Sequence, residues 1–85
     1  MNETVKMGVF EILGRWCKVA ASDLREDAQL SAIALDSVNM IEVELAIQSE
    51  LGVTIEDNKI FDATSVGEIV NLVNERWSTR DTLAN

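Results

Sequence analysis

The chain has 85 residues, of which 47% are apolar, with no histidine, one cysteine, no proline and a net charge of −8. Without histidine, no Ser-His-Asp or Cys-His machinery and no cysteine–histidine zinc site can be assembled, and a lone cysteine closes no internal disulfide. A field of this sign repels nucleic acid and anionic membrane and draws in basic protein surfaces, so nucleic acid is excluded as a partner.

A chain of this length makes one small domain, and its abundance of Val, Leu, Ile, Ala and Glu favours helices. The spacing of Val5, Val9, Ile12, Leu13, Trp16 and Cys17 predicts a first helix from about Glu3 to Val19. Asn2 or Thr4 would cap it, and Gly8 and Gly14 weaken it. Cys17, in line with Leu13 and Val9, reads as an ordinary core thiol. Residues 20–36 show no periodicity and form a long connection, pinned to the core by Leu24, Leu30, Ile33 and Leu35. Loops of that length in a small domain are uncommon and often functional.

The second helix is expected from Ser37 to Leu51, stopped by Gly52. Val53 and Ile55 anchor the next loop. A short helical turn from Asn58 to Asp62 would place Ile60 and Phe61 inward. Thr64 or Ser65 opens the last helix, with Ser65 and Glu68 forming a capping box. Its apolar face is Val66, Ile69, Val70, Val73 and Trp77, which sets the domain at residues 1–77 and leaves 78–85 as a frayed tail. The expected fold is all-α: a bundle of three main helices plus one short helix, with a long first loop. No signal peptide or membrane span is present in the pattern, so a cytoplasmic monomer is expected.

Charge is unevenly placed. Residues 36–68 hold eight acids (Asp36, Glu42, Glu44, Glu50, Glu56, Asp57, Asp62, Glu68) against Lys59 alone, so nearly all the excess begins at Asp36. Paired carboxylates could serve acid–base catalysis, but charge on a helix usually faces water. A calcium loop over Asp57–Glu68 fails, because Lys59 and Phe61 stand at ligand positions and Asp62 replaces the turn glycine.

Asp36-Ser37 stands where that acidic helix begins. Asp and Ser are favoured caps, since their oxygens accept from first-turn amides. Ser22 lies in a loop, Ser49 is late in a helix and Ser65 is a cap. Ser37 alone combines a helix start, a preceding acid and an acidic helix behind it. That suits a serine which other enzymes modify and grip.

The stretch Leu30-Ser31-Ala32-Ile33-Ala34-Leu35-Asp36-Ser37-Val38 resembles the attachment motif of acyl carrier proteins, usually L-x-x-L-G-x-D-S-L. Glu42, Ala46, Glu50, the run Leu51-Gly52-Val53-Thr54-Ile55-Glu56-Asp57 and the run Thr64-Ser65-Val66-Gly67-Glu68-Ile69-Val70 are similar to that family's second helix, second loop and last helix. The resemblance covers roughly residues 5–75. It departs at Ala34 (glycine in the family), Val38 (leucine), Glu56 (proline), and Gln48 and Ser49, which thin the acid cluster. These departures point to a dedicated carrier for one pathway.

By this resemblance Ser37 would carry 4′-phosphopantetheine from coenzyme A, and Asp36 would engage the phosphopantetheinyl transferase. Acyl intermediates of fatty-acid, polyketide or related biosynthesis would ride as thioesters on that arm, and the carrier itself would not be an enzyme. Acyl-transferring or ketosynthase-type enzymes with basic patches would dock on Val38, Met40, Glu42, Val43 and Glu50. Ile41, Glu44, Leu45, Ile47, Ile55, Ile60 and Ile69 would line a cavity for the acyl chain. Glu44 falls within the apolar arc of the second helix, where the family usually has an aliphatic residue. Its stem could pack while the carboxylate reaches water, or it could make the cavity shallow and polar. The competing class is an acidic helical interaction module without a prosthetic group.

Overall fold

The computed structural model describes residues 3–17, 19–33, 36–56 and 59–84. Three helices dominate: α1 (Glu3–Trp16), α2 (Ser37–Leu51) and α3 (Val66–Ala84). α1 packs against both others. From α1 the core takes Val5, Val9, Ile12 and Leu13, from α2 Met40, Val43 and Ile47, and from α3 Val66, Ile69, Val70, Leu72 and Val73. Trp16 and Cys17 pack at its margin. α1 ends three residues earlier than the periodicity suggests. The Cys17 thiol turns to donate to the Val19 carbonyl at 3.1 Å. Thr4 lies inside α1 and does not cap it, and Asn2 lies outside the described residues.

The long first connection contains two 3-10 turns, Ala21–Asp23 and Leu30–Ile33. Leu24, Leu30 and Ile33 are buried, as expected, and Leu35 lies outside the described residues. What holds this aperiodic segment is the start of α3. The Val66 amide donates to the Ala28 carbonyl at 3.0 Å and the Gly67 amide to the Glu26 carbonyl at 2.8 Å. The Leu30 amide returns a bond to the Thr64 carbonyl at 3.0 Å. First-turn amides have no partner within their own helix, so the loop supplies carbonyls they would otherwise lack. Gly67 permits this approach, because a Cβ there would stand 3.0 Å from the Glu26 carbonyl oxygen.

The capping box also forms. Glu68 Oε2 accepts from the amides of Thr64 at 2.7 Å and Ser65 at 3.0 Å, while Ser65 Oγ accepts from the Glu68 amide at 3.3 Å.

α2 ends as expected at Gly52, whose φ of 68° lies in the left-handed region that glycine enters freely. Its amide closes on the Gln48 carbonyl at 3.1 Å. Arg76 on α3 donates to Glu56 at 2.8 Å and pins the loop that follows. The short turn is a 3-10 segment over Lys59–Asp62; Asn58 lies outside the described residues.

Two expectations are corrected here. Phe61 is 41% exposed, not inward. With three residues per turn, burying Ile60 swings its neighbour about 120° toward solvent. Met40 and Val43 face the core and not a docking surface, and Ile41 and Leu45 are the exposed pair. Residues 78–84 continue α3 as helix. They contain no glycine or proline, so nothing in their propensity ends the helix at Trp77.

Candidate functional site

The site is built at the first turn of α2. Asp36 has extended backbone, with φ −100° and ψ −179°, and its Oδ1 accepts from the Asn39 amide at 2.9 Å. Its carbonyl accepts from the Met40 amide at 2.9 Å, the first bond of the helix. Asp36 is therefore the cap, and Ser37 is the first helical residue. No hydrogen bond of the described residues engages the Ser37 hydroxyl, and the residue is exposed. Asn39 Nδ2 reaches the Trp16 carbonyl at 3.5 Å, tethering this turn to the end of α1. The preceding motif residues Ala34 and Leu35 lie outside the described residues.

Behind Ser37, α2 divides into two faces. Met40, Val43 and Ile47 are buried, while Val38, Ile41 and Leu45 are 69%, 50% and 55% exposed. These three recur at i, i+3 and i+7, so they share one outward stripe beginning at the residue after Ser37. Exposed Glu42 lies on that stripe. Glu44 is half-buried on the opposite flank. Of the residues expected to line an interior cavity, Ile47, Ile55, Ile60 and Ile69 are buried, whereas Ile41 and Leu45 are on the outer stripe.

The acids of residues 36–68 are less available than their number suggests. Asp36 caps α2, Glu56 pairs with Arg76 and Glu68 serves the capping box. Glu50, expected to dock partners, is gripped by Arg15 of α1. Both terminal guanidinium nitrogens donate to its two oxygens, Nη2 at 2.8 Å, and Nη2 also reaches Glu11 at 3.3 Å. The Arg15 hydrogen bond holds the Glu50 carboxyl below the usual carboxylate range. Arg15 lies 35 residues from Glu50, and no local pattern signals such a pair. Gln48, which from sequence only thins the acid cluster, accepts from the Ile55 amide at 3.1 Å and ties the second loop to α2.

A serine hydroxyl at the N-terminus of a fifteen-residue helix suits a phosphodiester. The helix dipole and its unpaired first-turn amides favour negative charge there. Capping is already done by Asp36, so modifying Ser37 costs α2 no hydrogen bond.

The arrangement is that of a small helical domain with an exposed serine at the start of its second helix. Residues 8–73 match the family model of the phosphopantetheine attachment site, and the chain belongs to that family. It tethers acyl groups through 4′-phosphopantetheine. It is 28% identical over 67 residues to an acyl carrier protein of Thermobifida fusca, covering 78% of this chain and 85% of that one. With an acyl carrier protein of Acidothermus cellulolyticus it shares 26% over 73 residues, 85% and 87% of the two chains. Among solved structures it superimposes, at TM-score 0.70 and 20% identity, on a hexanoyl acyl carrier protein from the actinorhodin polyketide synthase of Streptomyces coelicolor. That match covers 93% of this chain and 92% of the other. The 3,7-dioxo-octyl form of the actinorhodin carrier matches equally, with TM-score 0.70 over 92% and 91%. Identities this low accord with a specialised member.

Proposed function

We propose that Ser37 is the attachment point, and that the chain serves a dedicated biosynthetic pathway of the polyketide or fatty-acid type. The observation that carries this reading is the division of labour at the first turn. Asp36 caps α2, which leaves the Ser37 hydroxyl exposed at a helix terminus suited to a phosphodiester. The bound arm supplies a thiol that holds acyl groups as thioesters. The chain's own part is to anchor, orient and present, and it offers no histidine for acid–base work.

Partners are a phosphopantetheinyl transferase and acyl-transferring enzymes, brought to α2 by the long-range negative field of residues 36–68. The setting is the cytoplasm and the working unit is a monomer. Among the described residues, no helix is long and apolar enough to cross a membrane. Buried Ile47, Ile55, Ile60 and Ile69 form the apolar interior against which a cargo chain would fold, and half-buried Glu44 gives its edge a polar margin. That margin favours short or functionalised cargo.

The test is mass spectrometry after incubation with coenzyme A and a broad-specificity phosphopantetheinyl transferase. One phosphopantetheine per chain is expected, mapped to Ser37 and absent from Ser37→Ala, whose circular dichroism should match the parent. An unchanged parent mass, or modification persisting in Ser37→Ala, refutes the assignment.

A further inference from the structure

Asn39 belongs to the attachment turn but faces away from the attachment point. It lies about 200° around α2 from Ser37, at about 100° per residue, so its side chain leaves the helix on the far side from the hydroxyl. Glu50 falls within about 20° of the same line, and both residues meet the end of α1. Arg15 Nη2 donates to Glu50 at 2.8 Å. Asn39 Nδ2 donates at 3.5 Å to the carbonyl of Trp16, the last residue of α1. The backbone amide of Asn39 donates to Asp36 Oδ1 at 2.9 Å. One residue therefore joins the cap of α2, the turn that holds Ser37 and the C-terminal end of α1.

The residue type fits this contact and not the helix it stands in. Close to a helix N-terminus an acidic side chain is the better choice, because the macrodipole favours negative charge there. The chain is rich in acids from residue 36 onward, yet position 39 is neutral. The last carbonyls of a helix have no partner within it and carry partial negative charge. A carboxylate facing the Trp16 carbonyl would set acceptor against acceptor, whereas a carboxamide offers that carbonyl an N–H. Asn39 thus forgoes a favourable charge on α2 to make a bond to α1. It is half-buried, so water competes for that bond only in part.

Resting on the assignment of Ser37, we infer that Asn39 is a positioning residue for phosphopantetheine attachment. By tying the first turn of α2 to the end of α1, it holds the Ser37 hydroxyl in one place relative to the rest of the domain. In that reaction Ser37 Oγ bonds to the phosphorus of coenzyme A that bears the pantetheine. The bond from this phosphorus to the bridging pyrophosphate oxygen breaks, and adenosine 3′,5′-bisphosphate leaves. The hydroxyl proton passes to a base of the transferase. A first turn free to shift on α1 carries Ser37 Oγ out of line with that phosphorus, and a displacement of about 1 Å can cost about 100-fold in rate. Asn39 acts through the turn alone, since its side chain is directed away from Ser37.

The test uses coenzyme A and a broad-specificity phosphopantetheinyl transferase, at a temperature where a thermal melt shows each variant folded. It reads the single-turnover rate at saturating unmodified carrier, and the carrier concentration that gives half of it. Asn39→Ala removes the donor; Asn39→Asp removes it while adding the charge that α2 alone would favour. Both should lower the saturating rate about tenfold and leave the half-saturating concentration within about twofold of the parent's. Asn39→Gln keeps the carboxamide with a longer reach and should recover most of the rate. Without any transferase, the side-chain amide protons of Asn39 should exchange with solvent more slowly than those of exposed Asn71. An unchanged saturating rate in Asn39→Ala, an effect on half-saturation alone, or no recovery in Asn39→Gln overturns the inference. So does exchange at Asn39 as fast as at Asn71. A parent chain that accepts no phosphopantetheine refutes the Ser37 assignment and this inference together, whereas a normally modified parent with any of those failures refutes the inference alone.

Discussion

Asp36 holds two roles that substitution can separate. Its Oδ1 caps α2, and its place beside Ser37 is where the family resemblance puts transferase recognition. Asparagine caps about as well as aspartate, whereas alanine caps poorly, so the two replacements divide helix stability from charge. Asp36→Asn should leave the melting temperature nearly unchanged while slowing attachment to Ser37. Asp36→Ala should do both, lowering stability by about 1 kcal/mol. The measurements are a thermal melt and a modification time course for each variant. Equal modification rates in the parent and Asp36→Asn would reduce Asp36 to a cap and nothing more.

The capping box of α3 was legible in sequence because Ser65 and Glu68 are three residues apart and cap through local geometry. The orientation of α2 was not. Val38, Met40, Ile41, Val43, Leu45, Ala46, Ile47 and Leu51 lie on all sides of it, so periodicity left the core-facing arc undecided. Only packing against α1 and the second loop selects Met40, Val43 and Ile47 for burial. The pairs Arg15–Glu50 and Arg76–Glu56 are long-range for the same reason, and neither leaves a mark in the local sequence.

The box gives α3 a pH dependence whose sign follows from its carboxylate. Hydrogen bonds to Glu68, chiefly from the Thr64 hydroxyl and then from amides and the Ser65 hydroxyl, hold its carboxyl below the ordinary glutamate range. The folded value lies below the unfolded one. The contribution is therefore complete at neutral pH, starts to fade near the ordinary glutamate value and is lost as pH falls through the folded value. Protonating other acids relieves repulsion in this negative chain and works the other way. The comparison must therefore be between variants at each pH. Glu68→Gln keeps an acceptor but cannot titrate, so its melting temperature should lie below the parent's at about pH 7 and approach it near pH 3. A constant gap across that range would show that Glu68 contributes no proton-linked stability.

For the whole molecule, a Cα radius of gyration of 11.9 Å is what a compact chain of this length has. Among the side chains described, the buried residues that make it compact end with Val73, with Trp77 half-buried beyond them. The family match ends at residue 73 as well. α3 nevertheless continues to Ala84. Among the side chains described, core packing ends at Trp77, and a short helical stretch that gains little from packing is marginal in water. The functional unit should therefore be residues 1–77. A chain ending at Trp77 should still unfold in one cooperative transition, within a few degrees of the full-length protein, and should take up phosphopantetheine at Ser37 at the same rate. It should lose helical ellipticity in proportion to the residues removed. If the shortened chain instead melts without cooperativity, residues 78–85 belong to the core unit and the carrier domain extends to the end of α3.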